Sequence, residues 1–167
     1  RARAERRLGS RAGVATMAPC VCGRGATSSA TTSHVLPALI RRYDEARSED
    51  LPSVTNWGTG TPRREFLHVD DMASACLHLL ENYDGPQQVN VGTGEDHTIG
   101  EVAELVSEAT GYAGQTCWDT TKPDGTPRKL LDVGMLRGTG WAPSISLEDG
   151  IRDTVDWYRS HRSMVRV

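Results

Sequence analysis

The 167-residue sequence predicts an α/β fold on three observations. Apolar residues recur at helical spacing in several segments, and short runs typical of strands lie between them. Residues 89–109 give a strand, a glycine turn and a helix in direct succession. The length also suffices for one domain with its own core, because a chain of roughly 150 residues buries roughly 68–70% of its unfolded surface.

The first two predicted helices follow from apolar spacing. Residues 35–46 place four apolar side chains on one stripe, namely Leu36, Leu39, Ile40 and Tyr43. Residues 71–82 show similar spacing, and Asp70 stands where an N-cap would accept a hydrogen bond from a free backbone N–H. We therefore expect two helices, with Asp70 as the cap of the second.

The later elements have local signals of their own. Residues 89–91 are a short strand candidate that ends in the turn Gly92-Thr93-Gly94. Thr98 and Glu101 have the spacing of a capping box, which predicts a helix immediately after Thr98. Near the end, apolar residues at i, i+4, i+8 and i+11 from Leu147 predict a last helix with one buried face.

The first 33 residues differ in composition from the rest. They are rich in Arg, Ala, Gly, Ser and Thr and show neither helical nor strand periodicity. Residues 1–30 hold six of the 19 basic side chains but one of the 22 acidic ones. We expect residues 1–33 to be disordered or mistranslated, residues 34–160 to form the folded region, and residues 161–167 to be a tail. An arginine-rich organelle transit peptide is the alternative for the first segment.

Composition argues against several classes of function. The acidic body after residue 30 lacks the basic stripe typical of nucleic-acid binding, so no such partner is expected. No run of about 18 apolar residues occurs, so no membrane span is expected. Four scattered cysteines do not form a disulfide framework, and the close pair Cys20 and Cys22 lacks the second pair or histidine cluster of a metal site. Reduced thiols, a cytoplasmic location and no metal ion are expected.

The turn Gly92-Thr93-Gly94 has two interpretations. It could begin a dinucleotide-binding fingerprint, in which glycines let the backbone approach a pyrophosphate. However, His97 stands where the third glycine of that fingerprint is expected, and no acidic residue follows at the proper distance. We favour a glycine turn that lets strand and helix pack closely, with the dinucleotide site as the alternative.

Two longer strings resemble a known family. Residues 57–71 combine a glycine turn, a tryptophan, two arginines and the run Glu-Phe-Leu-His-Val-Asp-Asp, and this stretch resembles extended short-chain dehydrogenases. Residues 122–132, Lys-Pro-Asp-Gly-Thr-Pro-Arg-Lys-Leu-Leu-Asp, are similar to the GDP-L-fucose synthase family. Residues 33–42 and 90–94 support the same match. The resemblance runs from about Thr32 to Arg159.

This resemblance implies the fold, the reaction and the cofactor. It implies the C-terminal part of an extended short-chain dehydrogenase, with remnants of a Rossmann-like sheet and a small α/β substrate-binding domain. Enzymes of the family use NADPH to convert GDP-4-keto-6-deoxy-D-mannose into GDP-L-fucose, by epimerising two carbons and then reducing a ketone. A GDP-sugar is the expected substrate, and a homodimer is expected for the complete enzyme.

The resemblance also implies five site residues. His34 matches a histidine near the nicotinamide that is implicated as an acid in epimerisation, so it is both the expected catalytic residue and a cofactor contact. Arg42 and Arg64 match residues that bind the GDP-sugar, where guanidinium groups hold phosphate oxygens. Trp57 and Asp124 match an aromatic and an acidic residue of the same substrate site. Without the resemblance, the last four would be taken as surface charges, core and turn.

Other residues that such an enzyme needs are missing from the sequence. No strand, glycine-rich turn and helix for NADP is found, and none of the four tyrosines is followed by a lysine four residues later, as the proton-donating pair requires. NADP should therefore be bound mainly by a part outside this chain, and the chain alone should be inactive. We expect residues before about Thr31 to come from a shifted reading frame or a misjoined exon, because the resemblance stops there.

Two other functions stay open. The chain could be a non-catalytic fragment that binds GDP-sugars or pairs with full-length subunits. It could instead belong to an epimerase or dehydratase of another nucleotide sugar, although residues 122–132 argue against this. Because this half of the family fold normally completes a sheet begun elsewhere, we expect residues 34–159 alone to expose apolar faces and to be poorly soluble.

Overall fold

A computed structural model of the chain describes residues 16–17, 19–23 and 34–162. Eight strands and five helices lie within these ranges. The strands are β1 (Thr16–Met17), β2 (Cys20–Cys22), β3 (Ser53–Trp57), β4 (Arg63–His68), β5 (Val89–Asn90), β6 (Asp96–Thr98), β7 (Gln115–Asp119) and β8 (Arg128–Lys129). The helices are α1 (Val35–Ser48), α2 (Val69–Asn82), α3 (Ile99–Thr110), α4 (Gly134–Gly138) and α5 (Leu147–Ser160).

Strand β4 organises the largest sheet. Its second half pairs in parallel with β2, in a register that places Cys20 opposite Phe66. Its first half pairs in parallel with β8 and antiparallel with β6. Two further sheets consist of two parallel strands each, β1 with β5 and β3 with β7. The predicted α/β fold class is confirmed.

Two apolar clusters hold the described ranges together. In the larger cluster, α1, α3 and α5 pack together with β3 and the second half of β4, and Tyr43 and Val106 are buried there. The smaller cluster joins α2, β5 and α4 through Leu79, Val89 and Leu136. Burial of apolar surface stabilises a fold by about 25 cal/mol per Å², so both clusters stabilise the described part of the chain.

Three of the predicted helices are confirmed. α1 buries all four apolar side chains of the expected stripe and ends two residues after the predicted end. α3 begins with the expected capping box, because the Thr98 N–H donates to Glu101 Oε2 at 2.7 Å and the Glu101 N–H donates to Thr98 Oγ1 at 3.0 Å. α5 buries Ile151, Val155 and Tyr158 along one face.

The predicted cap of α2 is wrong. The helix begins at Val69, two residues before the expected start, and its N-cap is His68. The Nδ1 atom of His68 accepts a hydrogen bond from the Asp70 N–H at 3.3 Å, so Asp70 lies in the first turn. The acidic residue is misleading because β4 runs directly into the helix, and the last residue of the strand serves as the cap. Asp70 still places a carboxylate at the positive end of the helix dipole.

The expectation of no regular structure before residue 34 is wrong at two places. β1 pairs with β5 and β2 pairs with β4, both in parallel. Strands of two and three residues are too short to leave a period in the sequence, so their pairing with distant strands determines them. The remaining residues of the 1–33 segment, and residues 163–167 of the predicted tail, lie outside the described ranges.

Some apolar side chains are exposed on α2. Leu77 is 63% exposed and Leu80 is 53% exposed. Adjacent exposed apolar residues favour association or aggregation, and poor solubility of residues 34–159 stays a prediction. Within the described ranges, no helix is long and apolar enough to cross a membrane.

Candidate functional site

A cleft of about 260 Å³ opens between α1, the end of β3 and the loop after β7. The polar and aromatic side chains that line it are Arg42, Asn56, Trp57, Arg64, Trp118 and Asp124. Its apolar lining includes Val35, Leu39, Pro62 and Ile99. Four of the five predicted site residues therefore share one cleft, although they come from four separate parts of the chain.

Arg42 reaches the cleft from α1 and is held through one nitrogen. Its Nη1 donates to Asn56 Oδ1 at 2.8 Å and to the Thr55 carbonyl oxygen at 3.2 Å. The side chain makes no further hydrogen bond within the described ranges. A guanidinium group carries five N–H donors, so the donors on Nε and Nη2 stay available to an anion in the cleft.

Arg64 reaches the same cleft from β4. Its Nη1 donates to the Arg63 carbonyl oxygen at 2.7 Å. A Cβ atom at Gly125 would lie 3.2 Å from Nη2 of Arg64, so the missing side chain at this position gives the guanidinium room. Arg42 and Arg64 thus bring two positive charges to one cleft. Planar guanidinium groups in such an arrangement suit a diphosphate, whose oxygens they can bind in pairs.

Two indoles supply the aromatic surface of the cleft. Trp57, at the end of β3, is 69% exposed, and Lys122 Nζ lies 5.8 Å from its ring centroid. Trp118 on β7 is half-buried behind Gly60. Gly60 has a φ of 77°, and a Cβ atom there would lie 2.7 Å from Trp118 Cζ2, so both conformation and space require glycine. An exposed indole offers a stacking surface for a base or a sugar.

The Asp124 carboxylate is engaged by the protein itself. Its Oδ1 accepts from the Thr59 N–H at 2.9 Å, and its Oδ2 accepts from the Thr59 hydroxyl at 2.7 Å. These two hydrogen bonds, the backbone one first, hold the pKa of the Asp124 carboxyl below its ordinary value. We call this pair the Asp124–Thr59 latch. Because each carboxylate oxygen has a second lone pair, the latch leaves acceptors for substrate hydroxyls.

His34 is the one predicted site residue that does not line the cleft. It is the N-cap residue of α1, it is exposed, and its side chain makes no capping hydrogen bond. The next residue, Val35, does line the cleft. The backbone therefore places His34 beside the cleft, while its catalytic and cofactor roles stay predictions.

A buried carboxylate fills the Gly92-Thr93-Gly94 turn. Glu65 on β4 is 2% exposed. Its Oε1 accepts from the Gly94 N–H at 2.7 Å, and its Oε2 accepts from the Leu131 N–H at 3.0 Å. A Cβ atom at Gly92 would come closer than 3.0 Å to this carboxylate. The N–H donor that a phosphate would need is occupied, which supports the structural interpretation of the turn over the dinucleotide one.

Asn56 and Trp118 are cleft residues that the sequence does not reveal. The two lie opposite each other in the parallel register of β3 and β7. β3 buries alternate residues, so Val54 and Asn56 point the same way. The sequence signal for Asn56 is a polar residue at an inward position of an alternating strand. That signal indicates a cleft residue only once the pairing of β3 with β7 is known.

A second cavity of about 250 Å³ contains none of the predicted site residues. It is lined by Cys22, His68, Glu95, His97 and residues 143–147, among others. Burial raises the pKa of the Cys22 thiol to about 11, so the thiol is protonated at neutral pH and is a poor nucleophile.

The α/β fold with a cleft lined by two arginines and two indoles is typical of enzymes that bind nucleotides. Comparison with known sequences identifies the family. The NAD dependent epimerase/dehydratase family matches residues 2–92. The chain therefore belongs to this family. The match begins at residue 2, within the segment for which a shifted reading frame or a misjoined exon is expected, and that expectation stays a prediction.

Individual relatives narrow the comparison to GDP-L-fucose synthases, which confirms the resemblance. A putative GDP-L-fucose synthase 2 of Arabidopsis thaliana is 56% identical over 126 residues, which are 75% of this chain and 38% of that protein. The GDP-L-fucose synthase of Escherichia coli K12 is 46% identical over 145 residues, which are 81% of this chain and 45% of that enzyme. The chain spans less than half the length of either relative.

A solved structure gives the same result for the fold. The GDP-L-fucose synthetase from Naegleria fowleri, solved bound to NADP, superimposes with a TM-score of 0.86 at 25% identity. The superposition covers 92% of this chain and 49% of that one. The described residues of this chain fit NADP only in part, because the Gly94 N–H is taken by Glu65 and His34 is the one predicted cofactor contact. They do not form a complete dinucleotide site.

Proposed function

We propose that this chain supplies the GDP-sugar-binding part of a GDP-L-fucose synthase. The observation that carries the proposal is the meeting of Arg42 and Arg64 with two indoles and the Asp124–Thr59 latch in one cleft. In such an enzyme, GDP-4-keto-6-deoxy-D-mannose is epimerised and then reduced with NADPH to GDP-L-fucose. NADP would be bound mainly by residues outside the described ranges. A homodimeric assembly and a cytoplasmic location stay predictions.

Each residue of the cleft has a chemical role in this proposal. Arg42 and Arg64 neutralise the diphosphate, Trp57 covers an apolar face of the ligand, and Asp124 accepts hydrogen bonds from hydroxyl groups. His34, beside the cleft, would transfer a proton during epimerisation, since an imidazole can both accept and donate a proton. We propose that the chain alone binds the nucleotide sugar without converting it.

Calorimetric titration of GDP into the full 167-residue chain tests this function. We expect saturable binding of GDP and no oxidation of NADPH when GDP-4-keto-6-deoxy-D-mannose is added. Titration with UDP tests the alternative, an enzyme of another nucleotide sugar. If the proposal is correct, UDP should bind more weakly than GDP. Absence of GDP binding by a folded chain would contradict the proposal, whereas turnover of NADPH would contradict only the expected inactivity.

The Arg64→Ala change tests the role of one charge. A hydrogen bond to a charged group contributes about 1.5–3 kcal/mol, so the affinity for GDP should fall roughly 10- to 100-fold. Arg152→Ala is the matched control, because Arg152 is exposed and pairs only with Asp149 within the described ranges. Equal affinities of the two variants, both folded, would refute the assignment of Arg64 to the diphosphate.

A further inference from the structure

The position of Arg42 depends on a buried asparagine. Asn56 is 2% exposed, and its Oδ1 accepts the hydrogen bond from Arg42 Nη1 at 2.8 Å. The other end of the same amide donates from Nδ2 to the Tyr43 hydroxyl at 3.0 Å. Both ends of the Asn56 side chain are therefore occupied by the protein.

The donors and acceptors fix the direction of this chain of hydrogen bonds. Arginine can only donate, so the carbonyl end of the Asn56 amide must face Arg42 and the NH₂ end must face Tyr43. The Tyr43 hydroxyl then accepts from Asn56, and its own hydrogen is free to donate to Thr116 Oγ1, which lies 2.9 Å away. This chain of hydrogen bonds links α1, β3 and β7.

Asn56 is a polar residue at an inward, buried position of β3. Val54, the preceding inward residue of β3, is apolar and packs in the core, whereas Asn56 places an amide at the equivalent position. A buried amide costs free energy unless its hydrogen bonds are made. Here the bonds lead to a cleft arginine at one end and to Tyr43, a fully buried residue, at the other. A rigid network of this kind restricts the group at its exposed end.

We propose that Asn56 is a positioning residue for substrate binding, and that it orients the Arg42 guanidinium toward the diphosphate of the nucleotide sugar, with Tyr43 and Thr116 fixing the amide. This inference rests on the proposed function. Two acceptors, Asn56 Oδ1 and the Thr55 carbonyl oxygen, hold the Nη1 corner of the guanidinium plane. The plane is thereby set while Nε and Nη2 face no acceptor within the described ranges.

Binding of GDP and of guanosine to the full chain tests the inference. Asn56→Leu replaces the amide with an apolar side chain of similar size, and we expect about tenfold weaker binding of GDP with less than a twofold change for guanosine. Tyr43→Phe keeps the amide but removes one of its partners, so a loss of about threefold for GDP is expected. Ser53→Ala on the same strand is the control, because Ser53 is exposed, and it should change neither affinity.

A purely structural role for Asn56 would give a different result. In that case Asn56→Leu would weaken GDP and guanosine binding equally, and this outcome would overturn the inference. Asn56→Asp retains an acceptor for Arg42 and should recover most of the GDP affinity. If Asn56→Leu does not fold, Tyr43→Phe makes the same comparison between GDP and guanosine.

A measurement without ligand separates this inference from the proposed function. NMR relaxation of the Arg42 Nε–H group should show an ordered guanidinium in the unmodified chain and in Asn56→Asp, and a mobile one in Asn56→Leu. Equal order in all three would overturn the positioning role. Failure of the unmodified chain to bind GDP would instead overturn the proposed function, while the relaxation data would still decide whether Asn56 holds Arg42.

Discussion

The tripeptide Gly-Thr-Gly occurs three times in the chain, and the copies at residues 58–60 and 92–94 lie in different surroundings. Each is held by a carboxylate from a distant part of the chain, Asp124 for the first and Glu65 for the second. Asp124 is exposed at the cleft, whereas Glu65 is buried. The same local sequence thus forms a carboxylate-bound turn in both places, and only the surroundings separate a turn at the cleft from a buried one.

The two carboxylates should therefore respond differently to mutation. A buried carboxylate that accepts backbone N–H bonds cannot be replaced by water, so its loss leaves unsatisfied donors in the protein interior. An exposed carboxylate is replaced by solvent at little cost. Mutation at residue 65 should act on stability, and mutation at residue 124 should act on ligand binding.

The largest effect is expected for Glu65→Ala. Removal of this side chain leaves the N–H groups of Gly94 and Leu131 without their acceptor, which should lower the free energy of unfolding by about 3 kcal/mol. Denaturant unfolding of the full chain measures the change. Glu95→Ala is the control, since Glu95 is exposed, and it should stay within about 0.5 kcal/mol. A similar small change for Glu65→Ala would show that the second turn does not depend on its carboxylate.

A smaller loss is expected for Gly92→Ala. Gly92 is not among the glycines with positive φ, so any effect comes from the close approach of the new Cβ to the Glu65 carboxylate. Overpacking of this kind costs about 2 kcal/mol. Gly138→Ala provides the opposite case, because a Cβ there meets nothing within 4 Å. It should be neutral or stabilise the chain by about 0.5 kcal/mol, and equal effects of the two changes in thermal unfolding would contradict the explanation.

The change Asp124→Ala should mainly affect binding. Loss of the Asp124–Thr59 latch frees the Gly58–Gly60 turn at the edge of the cleft. We therefore expect GDP affinity to fall about fivefold to tenfold. This change corresponds to about 1–1.4 kcal/mol of binding free energy, the contribution of a single hydrogen bond. Stability should change less than in Glu65→Ala. Titration and unfolding of the same preparation make the comparison, and a large loss of stability with normal GDP affinity would reverse the roles assigned to the two turns.

The smallest effect is an acid dependence of the Asp124–Thr59 latch. The pKa of Asp124 is lowered in the folded chain by the Thr59 N–H and hydroxyl. Its contribution to stability is therefore complete above the unfolded pKa of about 3.9 and disappears as the pH falls through the folded pKa. The difference in unfolding free energy between the chain and Asp124→Asn should be constant above about pH 5 and shrink below about pH 4. A difference that grows in acid would contradict this sign.

Local patterns were sufficient for much of the fold and for part of the cleft. Thr98 and Glu101 lie within one helical turn, so their capping box could be predicted from spacing alone. Arg64 and Asp124 could be predicted because each belongs to a long string that resembles one family. In both cases the information lies within a few consecutive residues.

Long-range contacts determine what the sequence does not reveal. Asn56 becomes a positioning candidate only because α1 brings Arg42 and Tyr43 to it. From the sequence, Glu65 is an ordinary strand residue. Its role follows from the fold, which places the N–H groups of Gly94 and Leu131 beside its carboxylate. The short strands β1 and β2 likewise depend on pairing with β5 and β4.

A crystal structure of the full chain with GDP tests the central claim most directly. The account predicts that the diphosphate lies at about 2.7–3.2 Å from guanidinium nitrogens of both Arg42 and Arg64, with the Arg42–Asn56 hydrogen bond intact. It also predicts contact between the ligand and the exposed face of Trp57. GDP bound at the Gly92–Gly94 turn, or bound in the cleft with its diphosphate away from both arginines, would contradict it.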